Sequence, residues 1–306
     1  MLNIGDLQPI NFPLAQNYPN PFNPSTTIVV HMENYSNGEL DIINLNGENI
    51  KMNRINKLFQ EKKNNILSIY FTAGYPSLND TIEIIKTLDE SNVDLIEIGM
   101  PFSDPIADGP IIQYSSNVAI DNGMNLHVLF KQLANIRKIT NIPIILMGYV
   151  NPVYQFGYDK FINKILDCDL DGMILPDLPF DDYKTQFKPI FVKKNLSFIS
   201  LITPNTSEDR IKQIDDNYNG FIYMVSSSSI TGKKSSFNKN QIQYFKRINN
   251  LSLKNPKIIG FGISDKKSFN EACKYSNGAI IGTSFIKSLD KNDLYKSIRK
   301  YIKLIR

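Results

Sequence analysis

Eight short apolar runs, each followed by a longer amphipathic stretch, limit what this chain can fold into more than any other feature. They are LSIYFTAG (67–74), VDLIEIG (93–99), IPIILMGYV (142–150), LDGMILPD (170–177), LSFISLIT (196–203), GFIYMVS (220–226), PKIIGFG (256–262) and GAIIGTS (278–284). Each has strand length and little polar alternation, as expected of parallel strands covered on both faces. Between them the apolar spacing predicts helices over 77–91, 158–168, 180–195, 207–217 and 292–306. Asn79, Ser207 and Asp265 stand where helix N-caps are useful. Eight strands alternating with helices within about 250 residues predict an α/β fold, a (β/α)8 TIM barrel. An open doubly wound sheet would carry a GxGxxG fingerprint after its first strand, and here AGYP follows instead.

The alternation begins at Met52, so residues 52–306 are expected to form the barrel domain. Residues 1–51 are rich in Asn and Pro, with two short β-like pieces and no helical period, and are expected to be a short irregular appendage. The 34 basic and 30 acidic residues leave a net charge of +4, and the lysines are scattered. That balance does not point to nucleic acid. Cys168 and Cys273 are too few and too isolated for a disulfide framework or a CxxC site. No apolar run approaches the length of about 20 residues that a membrane span needs. The first residues lack a basic region followed by a long apolar stretch, so no signal peptide is expected and a cytoplasmic location is.

The active site of a TIM barrel lies at the C-terminal ends of its strands. Those ends read Thr72, Glu97, Tyr149, Asp177, Thr203, Ser226, Gly262 and Thr283. No lysine is among them, which disfavours a Schiff-base mechanism. The two histidines, His31 and His127, fall elsewhere, which disfavours a zinc site or a Ser–His–Asp triad. Carboxylates and hydroxyls remain. Glu97 lies inside an apolar strand, where ionisation is costly and its pKa should rise toward neutrality. The Pro-rich segment PFSDPIADGP (101–110) must be a structured loop. Asp104, between Ser103 and Pro105, suits a turn; Asp108, beside Gly109 and Pro110, suits either a turn or chemistry.

The segments GFGIS (260–264) and IIGTS (280–284) follow the seventh and eighth runs, and Thr231-Gly232 follows the sixth. Small residues there let backbone amides approach an anion, and barrels of this kind place a phosphate in these loops. The sixth loop, SSSSITGKKSSFNKN (226–240), is long and polar and is expected to act as a lid, with Lys233 and Lys234 solvated.

FTAGYP (71–76), LIEIGMPFSDPIADGPIIQ (95–113), GYVNPVY (148–154), PDLP (176–179), SSITG (228–232) and GFGIS (260–264) resemble, in order, the signature segments of the tryptophan synthase α subunit family. The resemblance runs from Met52 to Arg306. It implies a lyase that cleaves indole-3-glycerol phosphate to indole and glyceraldehyde 3-phosphate, with no metal or cofactor of its own. The implied partner is a pyridoxal-phosphate β subunit in an α2β2 heterotetramer. On the same resemblance Glu97 protonates the indole ring carbon and Asp108 holds the proton on the ring nitrogen. Tyr70, Ile112, Tyr149, Tyr223 and Thr231 would surround the indole ring and lid, and Gly232, Gly262, Gly282 and Thr283 would hold phosphate. Ser229 stands where many members have Gly, and Thr283 where Ser is usual.

From the residues without the resemblance, another phosphate-binding barrel lyase, an epimerase or a non-catalytic barrel stay open. LAQNYPNPFNPSTTI (14–28) resembles the opening of β-sandwich sorting modules found at the C-termini of secreted bacterial proteins. Here it is N-terminal and has too few strands to fold alone, which suggests a fusion remnant or an upstream start.

Overall fold

The run ILSIYFT is buried at every position and forms the first strand, β1 (Ile66–Thr72), in the computed structural model of the chain. The structure describes residues 52–226 and 237–306. The N-terminal segment with its module resemblance and His31, and the part of the sixth loop holding Ser229, Thr231, Gly232, Lys233 and Lys234, lie outside the described residues. The other strand segments are β2 (Leu95–Gly99), β3 (Ile144–Met147), β4 (Gly172–Ile174), β5 (Ser197–Phe198), β6 (Ser200–Ile202), β7 (Ile222–Val225), β8 (Lys257–Gly260) and β9 (Gly278–Ile281).

All neighbouring segments pair in parallel, in the order β5-β4-β3-β2-β1-β9-β8-β7-β6. The two ends of that order, β5 and β6, are separated in the chain by Ile199 alone. The nine segments among the described residues are therefore eight staves, one of them bent. Its first half pairs with β4 and its second with β7, and Ile199 N donates to Met173 O at 3.0 Å. Chain continuity at Ile199 joins the two edges into a ring, the expected TIM barrel, and each of the eight apolar runs holds one stave.

Burial sorts into two layers. Leu67, Ile69 and Phe71 of β1 belong to the cluster between sheet and helices. Ile66 and Tyr70, of the opposite parity, belong to a smaller cluster inside the barrel with Leu95, Ile145, Ile174, Phe221, Tyr223 and Ile258. The helix Arg54–Glu61 adds Ile55 and Phe59, four residues apart on one face, to this interior cluster, with Phe59 5.9 Å from Phe221. It plugs the N-terminal end. Asn53 caps that helix by accepting from Ile55 N at 2.9 Å, and donates to Asp171 O and Asn195 O. Arg54 pairs with Asp169 and Asp171, while Asp171, 2% exposed, also accepts from Arg137 at 2.6 Å and Ile144 N at 2.8 Å.

Two expectations change. The helix over 180–195 is interrupted: Phe180–Asp182 leads into a π-turn, Tyr183–Phe187, before the helix Lys188–Lys193. Pro189 is the cause, since it lacks an amide donor and crowds the carbonyl four residues earlier. Asn79 precedes the helix Asp80–Glu90 without a side-chain cap bond, and Asp80 instead accepts from Ser77 N at 3.0 Å. Ser207 and Asp265 do cap, through Arg210 N and Ser268 N. No helix among the described residues is long and apolar enough to cross a membrane.

Removing the Asp171 carboxylate would leave two guanidinium groups partly buried without their shared partner. Asp171→Ala is expected to cost about 3–5 kcal/mol, read as a lowered midpoint in urea unfolding. A midpoint unchanged from the parent would contradict the role given to this latch.

Candidate active site

Toward the C-terminal end of the barrel the interior positions turn polar. Tyr70 on β1 and Glu97 on β2 are register partners, and Tyr223 enters from β7. Glu97 is fully buried. Ser68 Oγ donates to its Oε1 at 2.8 Å, while Oε2 has no partner among the described residues. Loss of water raises the Glu97 pKa to about 7, with the Ser68 bond pulling the other way. An unpartnered carboxyl oxygen that titrates at neutral pH is a group able to give a proton to something placed against it.

Two glycines make room for the tyrosines. A Cβ on Gly99 would lie 2.2 Å from Tyr70 Oη, and one on Gly260 2.2 Å from Tyr223 Oη. Each phenol thus reaches across the end of the adjacent strand only because that strand has no side chain there. Burial pushes both phenols well above their ordinary pKa, reinforced by the nearby charges of Asp108 and Glu97. Both stay neutral hydrogen-bond donors.

Asp108 lies in the Pro-rich loop, half-buried. Tyr149 Oη donates to its Oδ2 at 3.0 Å and accepts from Ala107 N at 3.1 Å. Gln113 donates to the carbonyls of Asp108 and Pro105 at 2.9 and 3.3 Å, and Asp108 N closes a turn onto Pro105 O. The loop is held at both sides of the carboxylate. Pro110 then starts the helix Pro110–Asp121, whose Ile112 packs on the barrel's interior cluster. Burial moves the Asp108 pKa up to about 6, opposed by the Tyr149 bond. Asp104 fits a turn: it is exposed, accepts from Ser103 Oγ at 2.5 Å, and its carbonyl accepts from Ile106 N. Asp177 accepts from Val150 N at 3.1 Å at the start of the helix Val150–Phe156, a structural bond, and Thr203 N bonds Thr206 Oγ1.

A third element follows β8 and β9. Phe261 and Gly262 both have positive φ, +67° and +76°. Among the described residues a Cβ on Gly262 would find nothing nearer than Ser226 Oγ at 3.7 Å. Ser226 Oγ donates to Phe261 O at 2.6 Å. The Gly262 and Ile263 amides donate to no group among the described residues. Gly282 precedes the helix Thr283–Ser288 and offers no side-chain cap, so the first-turn amides face outward from Thr283 onward. Two sets of unpaired amides on adjacent loops can receive an anion. Thr231 and Gly232, the third expected part, lie outside the described residues.

The structure thus brings Tyr70, Glu97 and Tyr223 together, links Asp108 to Tyr149, and sets Gly262, Gly282 and Thr283 on neighbouring loops. Ser68 and Gln113 were not among the expected site residues. Ser68 had a readable signal, a hydroxyl two positions before Tyr70 in an otherwise apolar strand. Gln113 had none, because its bonds go to loop carbonyls. No group of three or more His, Cys, Asp or Glu side chains among the described residues could hold a metal ion.

A family model described as "Tryptophan synthase alpha chain" matches residues 55–304. The chain is 55% identical over 251 residues to the tryptophan synthase alpha chain of Flavobacterium psychrophilum, covering 82% of this chain and 98% of that one. The Flavobacterium johnsoniae protein of the same name is 55% identical over 255 residues, covering 83% and 100%. Among solved structures, tryptophan synthase subunit alpha from Legionella pneumophila superposes with a TM-score of 0.71 at 32% identity, covering 83% of this chain and 99% of that one.

The raised Glu97 pKa has a consequence for stability. Its folded value, about 7, exceeds the ordinary 4.5, so the folded state loses stability as pH climbs from about 4.5 through about 7. Glu97→Gln cannot ionise and escapes that loss. Denaturant unfolding between pH 4.5 and 8 should show the variant gaining on the parent by up to about 3 kcal/mol. A gap that does not change with pH would mean an ordinary, hydrated carboxylate.

Proposed function

Because this chain belongs to the tryptophan synthase alpha chain family, we propose that Glu97 and Asp108 are the acid–base pair with which it cleaves its substrate. The chain is a lyase of tryptophan biosynthesis: it splits indole-3-glycerol phosphate into indole and glyceraldehyde 3-phosphate. It has no cofactor of its own. Its partner is a β subunit, which carries pyridoxal phosphate and takes the indole onward, in an α2β2 assembly that we place in the cytoplasm.

The observation that carries the assignment is the buried, unpartnered Oε2 of a Glu97 that titrates near neutrality. Retro-aldol cleavage must add a proton to the ring carbon bearing the side chain, stabilise the cationic ring this creates, and remove a proton from the adjacent side-chain hydroxyl. Glu97 gives the first proton. Asp108, ionised above about 6, accepts a hydrogen bond from the ring N–H and offsets the positive charge that develops there. The carbon–carbon bond then breaks, its electrons restoring the indole ring, and the hydroxyl carbon becomes the aldehyde. The Glu97 carboxylate left by the first transfer can accept the hydroxyl proton, so the cycle ends with the acid reset and no net proton consumed. Tyr70, Ile112, Tyr149, Tyr223 and Thr231 surround the ring, and Gly232, Gly262, Gly282 and Thr283 hold the phosphate.

This division of labour needs Glu97 protonated and Asp108 ionised together. kcat/KM should therefore follow a narrow bell with limbs near pH 6 and 7, as macroscopic values of the pair. In an indole-release assay Glu97→Gln should lose about 10²–10⁴-fold and Asp108→Asn nearly as much, with Asp108→Asn removing the acid limb. Near-parental turnover by Glu97→Gln would remove Glu97 from its role.

A further inference from the structure

The carbonyls of the loop after β8 are engaged by hydroxyls from elsewhere in the fold. Ser226 serves Phe261 O from one side. On the other side a second group of hydroxyls converges. Ser284, in the first turn of the helix after β9, has its Oγ 2.6 Å from Tyr301 Oη and 3.3 Å from Ile263 O. Tyr301 Oη lies 3.3 Å from Ser264 O. Tyr301 comes from the helix Leu294–Ile305, is 9% exposed, and packs its ring edge-on against Phe285 at 5.7 Å. Burial raises its pKa to about 12, opposed by the Ser284 bond, so the hydroxyl keeps its proton.

Two hydroxyl protons serve these three contacts, and oxygens 2.6 Å apart need one of the protons between them, which leaves two arrangements that use both. Either Tyr301 donates to Ser284 and Ser284 to Ile263 O, or Ser284 donates to Tyr301 and Tyr301 to Ser264 O. In both, the chain starts on one of the two hydroxyls and ends on a carbonyl of the β8 loop. Each therefore fastens that loop to the helix after β9 and to the C-terminal helix at once. With Phe261 O, Ile263 O and Ser264 O all held, the loop that carries the Gly262 and Ile263 amides is fixed against the helix that begins at Thr283.

We infer that Ser284 and Tyr301 are positioning residues, a two-hydroxyl bracket that sets the spacing of the two amide clusters for a phosphate group. The inference rests on the proposal that these loops hold the substrate phosphate. The bracket touches no substrate atom, so its loss should weaken anion binding and spare the chemical step.

The test uses the full chain and two readings: KM and kcat for indole-3-glycerol phosphate, and the inhibition constant of inorganic phosphate. Tyr301→Phe and Ser284→Ala should each raise KM and the phosphate inhibition constant together by about five- to tenfold, with kcat within about twofold. The double variant should be little worse than either single one, because both break the same chain. Ser284→Thr, which restores a hydroxyl, should recover most of the loss. Gly262→Asp, which adds a carboxylate to the loop after β8 at a φ that Asp tolerates, separates the two claims. If Gly262→Asp weakens phosphate while Tyr301→Phe and Ser284→Ala do not, the bracket is wrong and the phosphate site stands. If Gly262→Asp leaves phosphate inhibition unchanged, the phosphate site fails and the bracket with it. A fall in kcat at constant KM in the hydroxyl variants also overturns the inference. Should Tyr301→Phe not fold, Ser284→Ala and its Thr counterpart decide alone.

Discussion

A parallel sheet with open edges leaves rows of amide and carbonyl groups that must find other partners. Here both edges vanish because one stave changes neighbours at Ile199, its first half pairing with β4 and its second with β7. Closure fixes which side chains share the interior: one residue in two from every stave, with no freedom to slip, since a shift of one position would exchange the inner and outer sets. The interior is narrow, so large groups there need gaps opposite them. Tyr70 and Tyr223 have those gaps in Gly99 and Gly260. The same confinement strips water from Glu97, and the role proposed for it depends on that loss.

The site divides by how each carboxylate is held. Glu97 is on a strand, with its backbone locked in register between β1 and β3. Asp108 is on a loop and owes its place to side chains: Tyr149 from the stretch after β3 and Gln113 from the helix it precedes. Burial raises both pKa values, but a bond from a neutral hydroxyl opposes the rise in each, from Ser68 for Glu97 and from Tyr149 for Asp108. The result is two acids about one unit apart, which suits a reaction that needs one carboxyl charged while the other is not.

Much of this was legible in the chain. The eight apolar runs carry the barrel because strands buried on both faces need continuous apolar residues, and Glu97 stood out as an acid between two isoleucines deep in such a run. Boundaries were less legible: Tyr149 and Thr283 end apolar runs yet lie beyond the strands, at helix starts, because hydrophobicity does not mark where a ladder bond stops. The bend at Ile199 depends on neighbours far away in sequence. On chemistry alone Asp108 could have been a turn former like Asp104; what distinguishes them is Tyr149, forty-one residues on from Asp108, and no local pattern encodes that bond.

The pairing of β1 with β9 also has a bearing on synthesis. These strands lie at opposite ends of the barrel sequence, so β1 has one neighbour missing until β9 has been translated, and contacts of such long range are slow to form. During that interval an unpaired edge of apolar residues is available to other nascent chains, a condition that favours aggregation. Arg306 adds a final constraint, bonding Asn65 O, Asn92 O and the Asp94 carboxylate next to β1 and β2. The seam where the barrel begins is stitched by residues the ribosome makes more than two hundred positions later, which exposes this fold to chaperone dependence during most of its own translation.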